Sequence, residues 1–266
     1  MCESDVYMLR NGQEELLMEK VDRVIPGEDD TIFLENIFGE RRVVKARLRE
    51  MELVRHRILL EDLPAAAVVR DEELWLEPDT DHGHFHEGEE VVLRLYKGYN
   101  MQSNAGANLE DVQVVLISGS AKKGLQLHRN NGQYEIRSGQ GVDGLLQIYV
   151  HQPGIKQLYG KILVEVGHHH HHDIEALNLP LEIVPCGYSH ARIGDYYEMQ
   201  VLHQGQPLAG AEIKATFTGV RGQEYPRRLK SDENGKAKIF LSARGHYLFS
   251  TEHDNTISTF TLVKSL

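Results

Sequence analysis

The chain is poor in cysteine. It has two in 266 residues, Cys2 and Cys186, too few for a disulfide framework, so a reducing compartment is expected. No apolar run approaches the roughly 18 to 20 residues that a membrane helix requires, so no membrane span is expected. The opening MCESDVYMLRNGQEE lacks the basic-then-apolar pattern of a secretory signal, and a cytoplasmic location is expected. Positive charge is in the minority: 29 Lys and Arg stand against 40 Asp and Glu. A net charge of −11 argues against general nucleic-acid binding and fits cation handling or plain solubility. Catalytic signatures are missing too. There is no G-x-S-x-G elbow, P-loop, H-E-x-x-H or dinucleotide fingerprint, and no enzyme activity is expected. GQGVDG (residues 139–144) is glycine-rich, but no helix signal follows it and it reads as a turn.

What is present is a succession of short β-type runs. DVYML, DTIFLE and RVVKARL come first, with Asn11-Gly12 as a hairpin turn. ELLMEKVDRVI fits a short helix, although its valines and isoleucine leave that open. Proline, small residues and an acidic cluster in EDLPAAAVVRDEE mark a boundary. Strand-like runs then resume with LWLEP, VVLRLY, VQVVLI, YEIRS, LLQIYV and KILVEV. After a histidine run come LEIVP, YEMQVLH, AEIKATFT, AKIFLS, HYLFST and STFTLV, with Asn234-Gly235 as a further turn. The fold class is mainly β. A small β-rich domain (1–64) and a linker (65–73) precede a β-sandwich (74–167), a His-rich loop (168–178) and a second β-sandwich (179–266).

Fifteen histidines are distributed unevenly, and with Cys2 they carry the chemistry. Cys2 with neighbouring amine or amide nitrogens offers a planar N and S donor set suited to Ni(II) or Cu(II); by spacing alone it better fits an ordinary cysteine near a chain end. In DTDHGHFHEGEE, His82, His84 and His86 alternate, so on an extended strand they would share a face. Asp79, Asp81, Glu87 and Glu89 supply carboxylates as ligands or orienters; the bland alternative is a polar loop. The third element is His168, His169, His170, His171 and His172, inside VEVGHHHHHDIE. Purification tags sit at a terminus with six histidines, so this run of five reads as native. Consecutive imidazoles cannot all face one way in regular structure, so the run reads as an adaptable metal-collecting loop rather than a solvated spacer. Cys186 fits a buried small apolar residue by a strand end. His190, His203, His246 and His253 are scattered, and each alone reads as a surface or hydrogen-bonded histidine. The basic stretch RRVVKARLREMELVRHR fits an RNA or acidic partner, but arginines alternating with apolar residues more often mark the wet face of a strand. No aromatic stacking pattern accompanies it.

Two family resemblances follow from these residues. Over about the first 61 residues, Met1-Cys2, VYM, NGQEELLMEKVDRV and LENIFGERRVVKARLREMELVRHRILLE resemble the CooT family of small nickel-binding proteins. The resemblance implies a β-rich homodimer in which the cysteine after the initiator methionine, here Cys2, is the key nickel ligand. Family members have also been described as RNA-binding. Over roughly residues 74–266, LWLEP, EGEEVVLRLYKGYNM, LNLPLEIVP, GQPLAGAEIKATFTG and SDENGKAKIFLSARGHYLFSTEH are similar to the DUF4198 family. That family includes NikK-like accessory parts of nickel and cobalt transporters, and the resemblance implies immunoglobulin- or prealbumin-like sandwiches. Glu72 stands where members commonly carry a histidine three residues before the tryptophan. The expected function is Ni(II) delivery, storage or homeostasis for a nickel enzyme or transporter client, with Co, Zn or Cu as other candidate ions. The metal ligands would be Met1, Cys2, His82, His84, His86 and His168 to His172. The competing readings are a β-sandwich protein-interaction module and RNA binding.

Overall fold

The computed structural model describes residues 3–10, 13–27, 30–62, 71–80, 85–104, 106–109, 111–167, 174–187, 193–221 and 224–263. The chain divides into two units: residues 1–70 with 219–228, and residues 71–218 with 229–266. Among the described residues the regular structure is strands and one short 3-10 turn, so the class is all-β.

In the first unit, strands β1 (Ser4–Arg10), β2 (Gln13–Pro26), β3 (Thr31–Asn36), β4 (Arg41–Glu52) and β5 (Arg57–Asp62) lie in the order β4-β3-β2-β1-β5 of a six-stranded sheet, whose sixth strand, Val220–Arg221, pairs parallel with β4. β4 also pairs antiparallel with β5, which closes the sheet into a small barrel. Closure matters because an open sheet of this size would leave unpaired edges. Val6, Met8, Met18, Val21, Ile32, Leu34, Ala46, Ile58 and Leu60 fill the interior. The paired residues Arg10 and Gln13 flank the Asn11-Gly12 dipeptide, as a two-residue hairpin requires.

The segment ELLMEKVDRVI is not a helix; it belongs to the fourteen-residue strand β2. The helical look has a physical source. Ser4 faces Val21 and Val6 faces Met18, so β2 carries an extra residue there, and Lys20 adopts φ 51°. This bulge, braced by the Lys20 N–H donating to Asp5 Oδ1 at 3.0 Å, puts Met18 and Val21 into the same core at a spacing of three. A bulge in a strand thus imitates helical periodicity.

The second unit is built around an eight-stranded sheet. Its order is Ala121–Leu125, Gln113–Ser118, Gly144–Gln152, Gln157–Val166, Thr256–Leu262, Tyr247–His253, Glu212–Phe217 and a last strand, Arg227–Lys230, of which Leu229 and Lys230 belong to this unit. A five-stranded sheet containing Glu73–Pro78 and Val92–Tyr99 packs on one part of it, and Leu74, Leu76, Leu93 and Leu95 meet Leu146, Ile148, Ile162 and Val164 in a shared core. A four-stranded sheet containing Leu181–Pro185 and Tyr196–His203 contacts the other part, where Tyr197 stacks on Phe249 at 6.0 Å. The Tyr247 hydroxyl accepts from Ala243 N at 2.7 Å and donates to Ala243 O at 3.2 Å, tying a corner of that region.

Strand Gln157–Val166 holds the two parts together. It pairs antiparallel with Gly144–Gln152 and parallel with Thr256–Leu262. Nine of its ten residues are buried, so both its faces are covered and its sequence cannot alternate. Gly160 is required on one face, because a Cβ there would lie 2.9 Å from Leu74 O and 3.0 Å from a Val150 methyl. Thr259 Oγ1 donates to that same carbonyl. On the other face, Lys161 Nζ donates to Glu182 Oε1 at 2.6 Å, and each side chain is 1% exposed. Burial pulls the Lys161 ammonium below the usual lysine value, and the Glu182 carboxylate opposes that pull. Glu182 is satisfied further by the N–H groups of Leu177 (2.9 Å) and Leu179 (3.4 Å), which pin the chain before strand Leu181–Pro185.

Removing one partner of a buried pair strands the other charge, so Lys161→Ala should cost about 3–5 kcal/mol in denaturant melts. Lys161→Met combined with Glu182→Gln should cost less than Lys161→Ala, since no unpaired charge is left behind. A second expectation concerns Glu77, which accepts the Trp75 indole N–H at 2.8 Å and whose pKa is raised by desolvation. A carboxyl with a raised folded-state value binds more protons folded than unfolded between the two values, so its contribution is lost as pH rises through that window. Glu77→Gln keeps an acceptor for the indole and should therefore lose less stability than wild type as pH rises above the usual carboxylate value, in thermal melts at stepped pH.

Candidate metal sites

Most of the expected ligands lie outside the described residues: Met1, Cys2, His82, His84, and His168, His169, His170, His171 and His172. Of the expected set, His86 is described. It is exposed, its backbone N–H donates to Glu89 Oε2 at 2.8 Å, and its carbonyl accepts from Glu89 N at 3.0 Å in a turn with Gly88 at φ 83°. Two of the nearby carboxylates are engaged: Glu89 in that turn, and Asp79 in an ion pair with Arg94.

The described residues next to both histidine segments do meet. Phe85, 3% exposed, forms a parallel bridge with Val166, and Gly167 N donates to Phe85 O at 2.9 Å. Phe85 stands between His84 and His86, and Gly167 directly precedes His168. Buried Phe85 is thus an anchor, seated with Val91, Leu93 and Val166 in one apolar core. Beyond the run, Glu175 O accepts from Gln147 Nε2 at 3.2 Å. The chain is therefore fixed on both sides of residues 168–173.

A further constellation is missing from the sequence reading. His203 ends the strand Tyr196–His203 and His253 ends Tyr247–His253, in different sheets of the same unit. One ligand atom from each of His203, His253 and Asp254 lies within 4.8 Å of the others. Asp254 Oδ2 is 3.8 Å from both His203 Nε2 and His253 Nε2, and the imidazole rings meet edge to face at 4.6 Å. Fifty residues separate the histidines, so no motif spacing could reveal them; the available signal was that each precedes turn residues, Gln204-Gly205 and Asp254-Asn255.

Other candidates have structural partners. His151 Nε2 lies 2.7 Å from Gln157 Oε1, and its ring stacks on Tyr159 at 4.4 Å. His246 is buried, and His190 lies outside the described residues. Cys186 is exposed rather than buried: it follows the strand end at Pro185, with its N–H still donating to Glu198 O at 3.0 Å. Partial desolvation, then the Glu198 carboxylate, pushes its thiol upward. It is a poor thiolate donor at neutral pH.

The basic stretch is largely neutralised by neighbours. Arg41 Nε meets Glu35 at 2.9 Å, Arg47 meets Asp30 at 2.9 Å, Arg49 meets Glu61 at 3.3 Å and Arg57 meets Glu14 at 2.6 Å. Arg47 holds Asp30 below the usual carboxylate range, chiefly through their hydrogen bond. No helix among the described residues is long and apolar enough to cross a membrane.

A closed β-barrel module joined to a β-sheet unit is the class these features define. Comparison with known proteins makes it specific. Residues 1–61 match the family of the CO dehydrogenase accessory protein CooT. A crystal structure assigned to CooT from Carboxydothermus hydrogenoformans is 48% identical, over 24% of this chain and 100% of that one, with a TM-score of 0.22. Through this N-terminal module the chain belongs to the CooT family. Residues 155–255 match a domain of unknown function, DUF4198. Among solved structures, the D0-D1 domain of intimin is 15% identical over 73% of this chain and 98% of its own, at a TM-score of 0.24. A marsupial T cell receptor is 8% identical over 74% and 100%, at 0.29. No curated protein matches the chain.

The raised thiol at Cys186 sets an expectation for labelling. In Cys2→Ala protein, iodoacetamide at pH 7.5 should modify Cys186 at least severalfold more slowly than free cysteine, and Glu198→Gln should speed the reaction.

Proposed function

We propose that this chain binds Ni(II) as cargo and supplies it to a metalloenzyme client of the CO dehydrogenase type. The observation that carries the reading is the CooT match over residues 1–61, which contains Cys2. A thiolate with neighbouring backbone nitrogens is a donor set that suits Ni(II), whose electron count favours planar coordination. Co, Zn and Cu compete for such donors, and the planar geometry is what selects against zinc. Two copies of the barrel would bring two Cys2 thiolates together in a homodimer, and the protein would work in the cytoplasm.

The histidine segments serve as the collecting arm. The Phe85–Gly167 hydrogen bond supports one shared role for them, since His84 and His86 flank one residue of that pair and His168 follows the other. Imidazoles drawn from His82, His84, His86 and His168 to His172 would hold ions weakly in changing pairs and pass them to a tighter thiolate site. RNA binding is the weaker reading, because the arginines it needs are engaged by carboxylates. A bare interaction module would leave this donor chemistry unused.

Titration of tag-free protein with Ni(II), Co(II), Zn(II) and Cu(II) tests the proposal. Wild type should develop a thiolate-to-nickel charge-transfer band that disappears in Cys2→Ala. Deleting residues 168–172 should remove several weaker equivalents and leave the band. Both kinds of binding should weaken as pH falls through the imidazole and thiol ranges, because the ligands must be deprotonated. Protein from nickel-fed cells that carries no nickel and takes up none in vitro overturns the reading.

A further inference from the structure

The C-terminal His203, His253 and Asp254 stand apart from Cys2 and from both histidine-rich segments in the chain, and the geometry points to a separate, fixed site there. We propose that these three residues bind one divalent transition ion of the borderline class, such as Ni(II), Co(II) or Zn(II), as a clasp between two sheets. Two imidazoles and one carboxylate are the donors such ions take, and three protein ligands leave positions for water or for an incoming donor.

The donors are close to coordination distance. Ligand atoms about 2.0–2.1 Å from one tetrahedral ion lie about 3.3 Å apart. The two histidine-to-aspartate separations here are 3.8 Å and the three donor atoms all lie within 4.8 Å of one another, so side-chain rotation must draw the set in by about an ångström. The backbone beneath the donors is held. Gln204 N donates to Pro180 O at 2.9 Å just after His203, and Gln157 N donates to Asn255 O at 2.7 Å just after Asp254. Gln204 and Asp254 both adopt left-handed φ, 51° and 50°, which turns the chain sharply at the two histidines. The neighbouring carboxylates do not dilute the set, because Lys156 Nζ bonds Glu252 Oε1 at 2.5 Å and pairs with Asp71 as well.

Because His203 lies in the four-stranded sheet and His253 in the eight-stranded one, a bound ion adds a link between sheets that the Lys161–Glu182 pair already joins. Binding to the folded state alone raises stability by mass action, which supplies a readout independent of delivery.

The test uses the full chain carrying Cys2→Ala and glutamine at positions 82, 84, 86 and 168–172, so that failure of the delivery reading leaves this one untouched. Titrated with Co(II), Ni(II) or Zn(II) alone, this background should still bind one equivalent and melt at a higher temperature with metal. His203→Gln and His253→Gln should each weaken binding at least tenfold and abolish the rise in melting temperature. Asp254→Asn, in an exposed turn where folding is not at stake, should weaken it severalfold. A background that takes up no ion overturns the proposal, as does binding that these three substitutions leave unchanged. Metal-induced dimerisation in light scattering, with one ion per two chains, also overturns it.

Discussion

Lys161 and Glu182 meet where neither has water to fall back on, and much of the second unit is arranged around that fact. The ammonium sits on a strand that is covered on both faces, so it has a partner or it is unsustainable. Glu182 answers it and also receives the N–H groups of Leu177 and Leu179. The path of residues 174–180 back from the histidine run is thereby fixed to the centre of the sheet. A second buried acid, Glu73, does related work: it accepts from Ser250 Oγ at 2.6 Å and Asn100 N at 3.3 Å, linking strand Glu73–Pro78 to Tyr247–His253. Paired polar groups, and not apolar packing alone, therefore determine how these sheets are joined.

The two units divide the chemistry between them. The barrel is closed, its interior is apolar, and its outward arginines are matched by carboxylates, so its distinctive group is Cys2. The sheet unit carries His203 and His253 at strand ends, where side chains can rotate without disturbing the pairing beneath. Imidazole ligands in general favour exchange, while thiolate ligands favour retention. The proposed function would use that contrast for a graded transfer.

The β character was legible in strands that alternate, as in DVYML, where Val6 and Met8 are buried and their neighbours face outward, and in KAKIF, where Ala237 and Ile239 are buried. β2 misled because its bulge at Lys20 broke the alternation. Strand Gln157–Val166 gave away its burial through KILVEV but not its partner, since its parallel pairing with Thr256–Leu262 joins segments about a hundred residues apart with no local signal. RILLED (β5) carries no local signal of its partners, because the pairing that closes the barrel is equally non-local. Site residues divide in the same way. Cys2 and the histidine runs announce themselves by position or composition, whereas His203, His253 and Asp254 become neighbours only once two sheets are stacked.

The fastening on each side of the histidine run has a consequence for ion capture. Gly167 is held to Phe85 and Glu175 to Gln147, so the described residues that flank the run are each fixed to the sheet unit. In the proposed collecting role, five successive imidazoles would act at high effective concentration towards any ion that one of them caught. Release from one ring would then be followed more often by recapture than by escape. Residence time would come from the number of neighbouring rings, even where each single bond was short-lived.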